Sequence, residues 1–185
     1  MNDFRLYFQL GLDHILSIGS IDHILFLMAL ILVFSFKNWR TLLWLVSLFT
    51  VAHTSSLLLS VYGVIKVDEA LIERLILFTI LITALSNIIF KNDRILHKTH
   101  LYFSFIFGLI HGLGFAKDFK MLAIGQTNKL LSLFSFAIGI ETAQIALGII
   151  ILTILLAIVK LFGFNKREIN LLVSGGIMGF VLALF

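Results

Sequence analysis

The chain has 185 residues, of which 60% are hydrophobic and only 13% charged, with a mean hydropathy of +1.09 and a formal net charge of +4. Soluble domains carry about a quarter charged residues, so this composition excludes an ordinary soluble globule and points to a single all-α membrane domain over residues 1–185. The chain contains no Cys and no Pro: disulfides, thiolate ligands, a cysteine nucleophile and proline kinks are all excluded, and the basic residues lie in short loops rather than in one stripe that would suit nucleic acid.

The N-terminal stretch Phe4–Ser17 mixes Phe, Leu and Ile with Arg5, Gln9, Asp13 and His14. It is too short to span a bilayer and too polar for the apolar core of a signal peptide, and is expected as a helix at the interface or tucked against the bundle. Gly19-Ser20 marks a break before the first span. Six hydrophobic spans follow, at about 18–36, 41–62, 71–90, 101–116, 130–159 and 169–185, against the roughly 20 residues that a crossing needs. The fourth is short, and Gly108, Gly112 and Gly114 in it invite close approach of a neighbouring helix. The fifth is long enough to tilt or project. The expected architecture is therefore a bundle of about six transmembrane helices plus an N-terminal interfacial helix.

Within these apolar stretches stand Asp22-His23, His53, Glu73, His111 and Glu141. An ionisable side chain at the centre of a bilayer helix costs about 2.5–3.5 kcal/mol or more, so such residues are rare and tend to be functional. Imidazole with carboxylate is also a ligand set for a divalent transition metal. Counting Lys and Arg in the loops places Lys37, Arg40, Lys91, Arg94, Lys98, Lys160, Lys166 and Arg167 on one face. That face is expected in the cytoplasm, with both termini outside. In this topology all the acid and imidazole positions fall in one half of the bilayer, from the interface to a depth of about 16 Å, although they come from helices of alternating direction.

Each position also has a plainer explanation. Asp22 can cap a helix, Asp13 and His14 can be solvated at the interface, a single buried His53 can bond a neighbouring helix, and Glu73 can pair with Arg74 at the interface. Glu141, with Gln144 one turn on, is harder to dismiss because it sits deep in Ile-rich sequence. His97 and His100, in the basic loop of the opposite face, are expected to be solvated.

The residues resemble a known family. The stretch Gly11-Leu-Asp-His-Ile-Leu-Ser-Ile-Gly-Ser-Ile-Asp-His-Ile-Leu-Phe26 resembles the N-terminal signature of the HupE/UreJ membrane proteins, and Phe49-Thr-Val-Ala-His-Thr-Ser-Ser-Leu57 their second-helix motif. Phe107-Gly-Leu-Ile-His-Gly-Leu-Gly-Phe-Ala116 is similar to their most specific motif, and Gly139-Ile-Glu-Thr-Ala-Gln144 to their Gly-Val-Glu-x-Gly-Gln segment, with Ala143 where Gly is usual. The resemblance implies a metal-binding role for His14, Asp22, His23, His53, His111 and Glu141, with the third-helix acid matched by Glu73 and, as a competing match, by Glu69. Ser86 stands where the family has an acid, and Ala137 where it has Asn.

The resemblance also implies a place in the bacterial inner membrane, an association with hydrogenase or urease, metalloenzyme-maturation proteins as partners, and nickel as the metal. The residues themselves leave Ni, Zn, Fe and Co open. A transporter for a divalent transition metal is the first functional expectation. A membrane-embedded metalloenzyme holding one or two ions, hydrolytic or redox, is the second, and a metal-stabilised scaffold the third. The transport reading meets one gap: no polar series in the inner half is visible beyond Ser86 and Asn87.

Overall fold

The computed structural model describes residues 3–122 and 128–185, with all their side chains except those of Ile18 and Asp93. The described chain is all helical: α1 Asp3–Leu16, α2 Ile21–Ile31, α3 Trp39–Val61, α4 Glu69–Ile89, α5 Asp93–Gly114, α6 Ala116–Leu122, α7 Lys129–Phe162 and α8 Lys166–Leu182. Local chemistry fixes the boundaries. Asp68, Asn92, Asn128 and Asn165 each accept backbone N–H groups of the first turn from their side chains, starting α4, α5, α7 and α8. Gly163, at φ 69°, ends α7 in the left-handed conformation that favours glycine.

Among the described residues, three helical segments are long and apolar enough to cross a membrane: Phe36–Val61, Glu69–Ile89 and Lys129–Phe162. Two further pairs qualify as bent units, α1 with α2 at 70° and α5 with α6 at 51°. The first expected span differs most from expectation. α2 is only 11 residues, about 16 Å long, because a 3₁₀ turn at Ile18–Ser20 separates it from α1 and its buried apolar tail Leu32–Phe34 leaves the helix. The break falls where Gly19-Ser20 suggested it. The fourth span also starts earlier than expected: capping at Asn92 draws the polar stretch from Asp93 to His100 into α5. Hydropathy registers only the apolar part of that helix.

Two glycine seams fix the packing. On α5, Gly108 and Gly112 lie against the backbone of α3 at Phe49 and His53, so closely that a Cβ on Gly112 would overlap the His53 carbonyl. Gly11 of α1 and Gly139 of α7 face each other in the same way. In lipid, where no hydrophobic effect pulls helices together, such close backbone approach maximises dispersion contact. α1 is therefore held along α7 by a buried face of Tyr7, Gly11 and Ile15, with Arg5, Gln9 and Asp13 exposed on its other side. α2 lies inside the bundle, with Phe26, Leu27, Ala29, Leu30 and Ile31 all buried.

Candidate metal centre

The two seams and the break after α1 bring four imidazoles together. His14 comes from the last turn of α1, His23 from the first turn of α2, His53 from α3 and His111 from the last turn of α5. His14, His23 and His53 each present a ring nitrogen, and the three nitrogens lie within 4.8 Å of one another. The ring of His111 is 5.2 Å from that of His23, centroid to centroid.

The hydrogen bonding leaves the inward-facing nitrogens free. His23 Nδ1 is 3.1 Å from Asp22 Oδ1 and His111 Nδ1 is 2.8 Å from the Phe107 carbonyl. Both bonds set the tautomer and leave Nε2 as the basic nitrogen. Among the described residues, Nε2 of His14, His23, His53 and His111, and Nδ1 of His53, are buried without any hydrogen-bond partner. A buried polar atom left in this state costs about 1–3 kcal/mol, and concentrating several at one point is unfavourable unless something binds them. An imidazole oriented by a carboxylate or a backbone carbonyl through its other nitrogen is the usual arrangement of a metal-ligating histidine. The residues therefore fit a divalent transition metal. Phenyl rings enclose them: Phe115 lies 4.1 Å from His14, Phe26 5.0 Å from His111 and Phe49 5.7 Å from His53, centroid to centroid. They cover part of the cluster with apolar surface, which lowers the local dielectric and strengthens electrostatic attraction there.

A cleft of about 360 Å³ opens beside the cluster, and His14, Asp22, His23, His111 and Glu73 line it. Asp118 of α6 lines it as well; reading the sequence passed over this acid because it follows the apolar motif in a basic stretch. Glu69, the competing match to the third-helix acid, is instead paired on the surface with Lys117 at 2.8 Å. Glu141 is not brought to the cluster: it accepts a hydrogen bond from Ser47 on α3, while one turn on Gln144 accepts one from Thr50 at 3.1 Å. Asp22 bonds its neighbouring imidazole, and no side chain caps α2.

The opposite end of the bundle corrects one expectation outright. His100 is not solvated but fully buried, its Nδ1 3.0 Å from the Leu30 carbonyl and its Nε2 3.2 Å from Ser86 Oγ. His97 is half-buried and stacks on Phe34 at 4.3 Å. Charge in the flanking loop suggested water; the helical period of α5, which puts His100 on the same inward face as His111, was the signal to follow.

Helices of membrane-crossing length, arranged around a buried imidazole cluster able to coordinate a metal, define a multi-spanning membrane protein with a potential metal site. Residues 1–185, the whole chain, match the family described as HupE / UreJ protein, and the chain belongs to that family. No curated protein and no solved structure matches it.

Proposed function

We propose that this protein moves a divalent transition metal, of the nickel type, across the bacterial inner membrane. The ion would be held by His14, His23, His53 and His111, with Asp22 orienting His23. The observation that carries this reading is the convergence of buried, unpartnered ring nitrogens. Neutral imidazole suits Ni, Zn, Fe and Co; nickel rests on family membership. In this reading the chain crosses six times, through residues 18–36 with α2 at their centre and through α3, α4, α5, α7 and α8. α1 lies along α7 at the outer interface with its polar face to water, and the basic loops face the cytoplasm. Glu73 and Asp118 sit at the mouth of the cleft, where carboxylates would attract the incoming cation. The site lies at a helix break, as substrate sites of transporters often do.

The direct test is purification without added metal, elemental mass spectrometry, and uptake of nickel or zinc into proteoliposomes. Reversible binding with uptake fits a transporter. Tightly held metal without uptake would overturn transport and favour the second reading, a membrane-embedded metalloenzyme. The cleft favours that alternative to the extent that it gives a substrate room beside the cluster and sets two carboxylates nearby, candidates for a general base.

A further inference from the structure

The end of the bundle remote from the imidazoles carries a groove that the metal cluster does not use. α2 ends at Ile31, and Leu32–Ser35 continue without helix to the 3₁₀ turn Phe36–Asn38 that leads into α3. Backbone of this kind is tolerated at membrane depth where its polar groups find partners inside the protein. The Val33 carbonyl accepts a hydrogen bond from Lys166 Nζ of α8 at 2.8 Å, and Ser35 Oγ donates to Asn38 Oδ1 at 2.9 Å. A helix with its side chains is about 10–12 Å across. Where α2 gives way to this thinner segment, a gap is left against α7.

Phe34, Phe36, Leu152, Leu155, Leu156 and Val159 wall a cavity of about 270 Å³ there, which Lys37 and Lys166 also line. Phe36 and Leu152 in turn line a second cavity of about 160 Å³, which continues between Leu43 and Val46 of α3 and Ile149 of α7 as far as Gln144. Together the two extend along α7 from Gln144 to Val159, about 22 Å, more than the roughly 15 Å of hydrocarbon that one leaflet supplies. Leu43, Ile149 and Leu156 are exposed, so the groove opens to lipid rather than to the bundle interior. Charge gathers at one end of it. Lys37 is exposed beside the first cavity, Lys160 follows Val159 and is exposed, and the Arg40 guanidinium lies 5.3 Å over the Trp39 ring. Trp beside Lys and Arg is the pattern of a helix end at the headgroups. Among the described residues, none of Lys37, Arg40 and Lys160 forms an ion pair with a carboxylate.

We propose that the groove between α3 and α7 is a binding site for one anionic phospholipid, its phosphate at Lys37 and one acyl chain laid along α7. A concave apolar wall touches a chain on more than one side, so each methylene gains more dispersion contact than on a flat helix face. The groove is deepest where α2 has ended, and its cations stand at the level where the headgroup of such a chain would lie. A second copy of this chain is the competing occupant, and charge disfavours it. Copies related by a two-fold axis along the membrane normal would bring Lys37, Arg40 and Lys160 of both copies to the same end, with no carboxylate paired to them. A lipid phosphate supplies the missing negative charge. The site is independent of the transport reading and holds or fails whether or not metal moves.

Native mass spectrometry of the full chain released from detergent micelles tests the site, with phosphatidylglycerol and phosphatidylcholine of identical acyl chains as the probes. Wild type should retain one phosphatidylglycerol, in preference to phosphatidylcholine by about tenfold or more. Lys37→Gln should cut that preference about fivefold, the contribution of one Lys beside an anionic headgroup. Lys98→Gln, exposed on the same basic face but outside the groove, should leave it unchanged. Leu156→Trp, which fills the groove from an exposed position, should abolish retention, whereas Leu172→Trp, exposed on α8, should not. Equal retention of the two lipids would overturn the proposal, as would retention by Leu156→Trp. Equal losses in Lys37→Gln and Lys98→Gln would show that the basic face as a whole attracts the lipid, and would overturn the site. A lipid-free dimer that Leu156→Trp splits would give the groove to a second copy instead.

Discussion

His111 and His100 lie on one face of one helix, and what separates them is the state of their second nitrogen. His111 keeps Nε2 buried and unpartnered beside three other imidazoles, whereas His100 has a partner at both nitrogens, the Leu30 carbonyl and Ser86. Both are fully buried or nearly so, so burial does not distinguish them. Hydrogen-bond accounting does: a histidine whose ring is satisfied ties helices together, while a group of histidines with nitrogens left over lacks a ligand. A seam of buried hydroxyls on α4 connects the two ends.

The comparison breaks most sharply if the histidine cluster is dispensable. His53→Ala removes the ring that leaves both nitrogens unpartnered, and should reduce nickel or zinc affinity by more than about a hundredfold, beyond the range of orienting contacts. Titration calorimetry in detergent measures it. His111→Ala should abolish binding likewise, whereas His97→Ala, at the far end against Phe34, should retain it. Equal retention by both variants would show that the cluster is not the site. Because ligating imidazoles must be deprotonated, metal and protons compete for the same nitrogens, and binding should be lost reversibly once the medium is acid enough to protonate the cluster. Affinity that persists unchanged down to the pH at which the protein unfolds would argue against imidazole as the ligand.

A smaller effect is expected from the contacts that orient the ligands. Asp22→Asn keeps the shape of the side chain but loses the charge facing His23 Nδ1. It should weaken metal affinity about 10–100-fold, with the thermal unfolding midpoint of the metal-free protein little changed. Gly112→Ala should act the other way round. The added methyl meets the His53 carbonyl and Ser56, so the α3–α5 seam must open, at about 1–3 kcal/mol of stability. A scan of metal-free protein registers that loss. Stability unchanged in Gly112→Ala would mean that the seam has slack and that something else sets the spacing of His53 and His111.

These contrasts also show how far the sequence was legible. Hydropathy located α3, α4 and α7 because each is a long apolar run. It misjudged α2, whose break depends on a turn of only a few residues, and the start of α5, where an Asn cap carries the helix through polar sequence. His23, His53 and His111 stood out because charge is costly in apolar surroundings. His14 did not, since its neighbours in α1 are polar; only the Gly11–Gly139 contact brings it inward. His100 was misread for the converse reason, because loop charge concealed a helical face that turns inward.

The smallest effect is expected at Glu141, and there the structure and the family resemblance lead to different expectations. The resemblance assigns Glu141 to the metal, but α7 holds its carboxylate against Ser47, away from the residues that line the cleft. If this arrangement persists when metal is bound, Glu141→Gln preserves a polar group for Ser47 and should change metal affinity by no more than a few-fold, while Ser47→Ala leaves affinity unchanged. A loss comparable to that of His53→Ala would require the carboxylate to leave Ser47 and reach the imidazoles. α7 would then have to shift against α3, and because Gly139 of α7 packs on Gly11 of α1, that movement would carry His14 with it. Loss of affinity in Glu141→Gln would therefore indicate a second arrangement of the bundle, in which α1 and α7 move together to close the site.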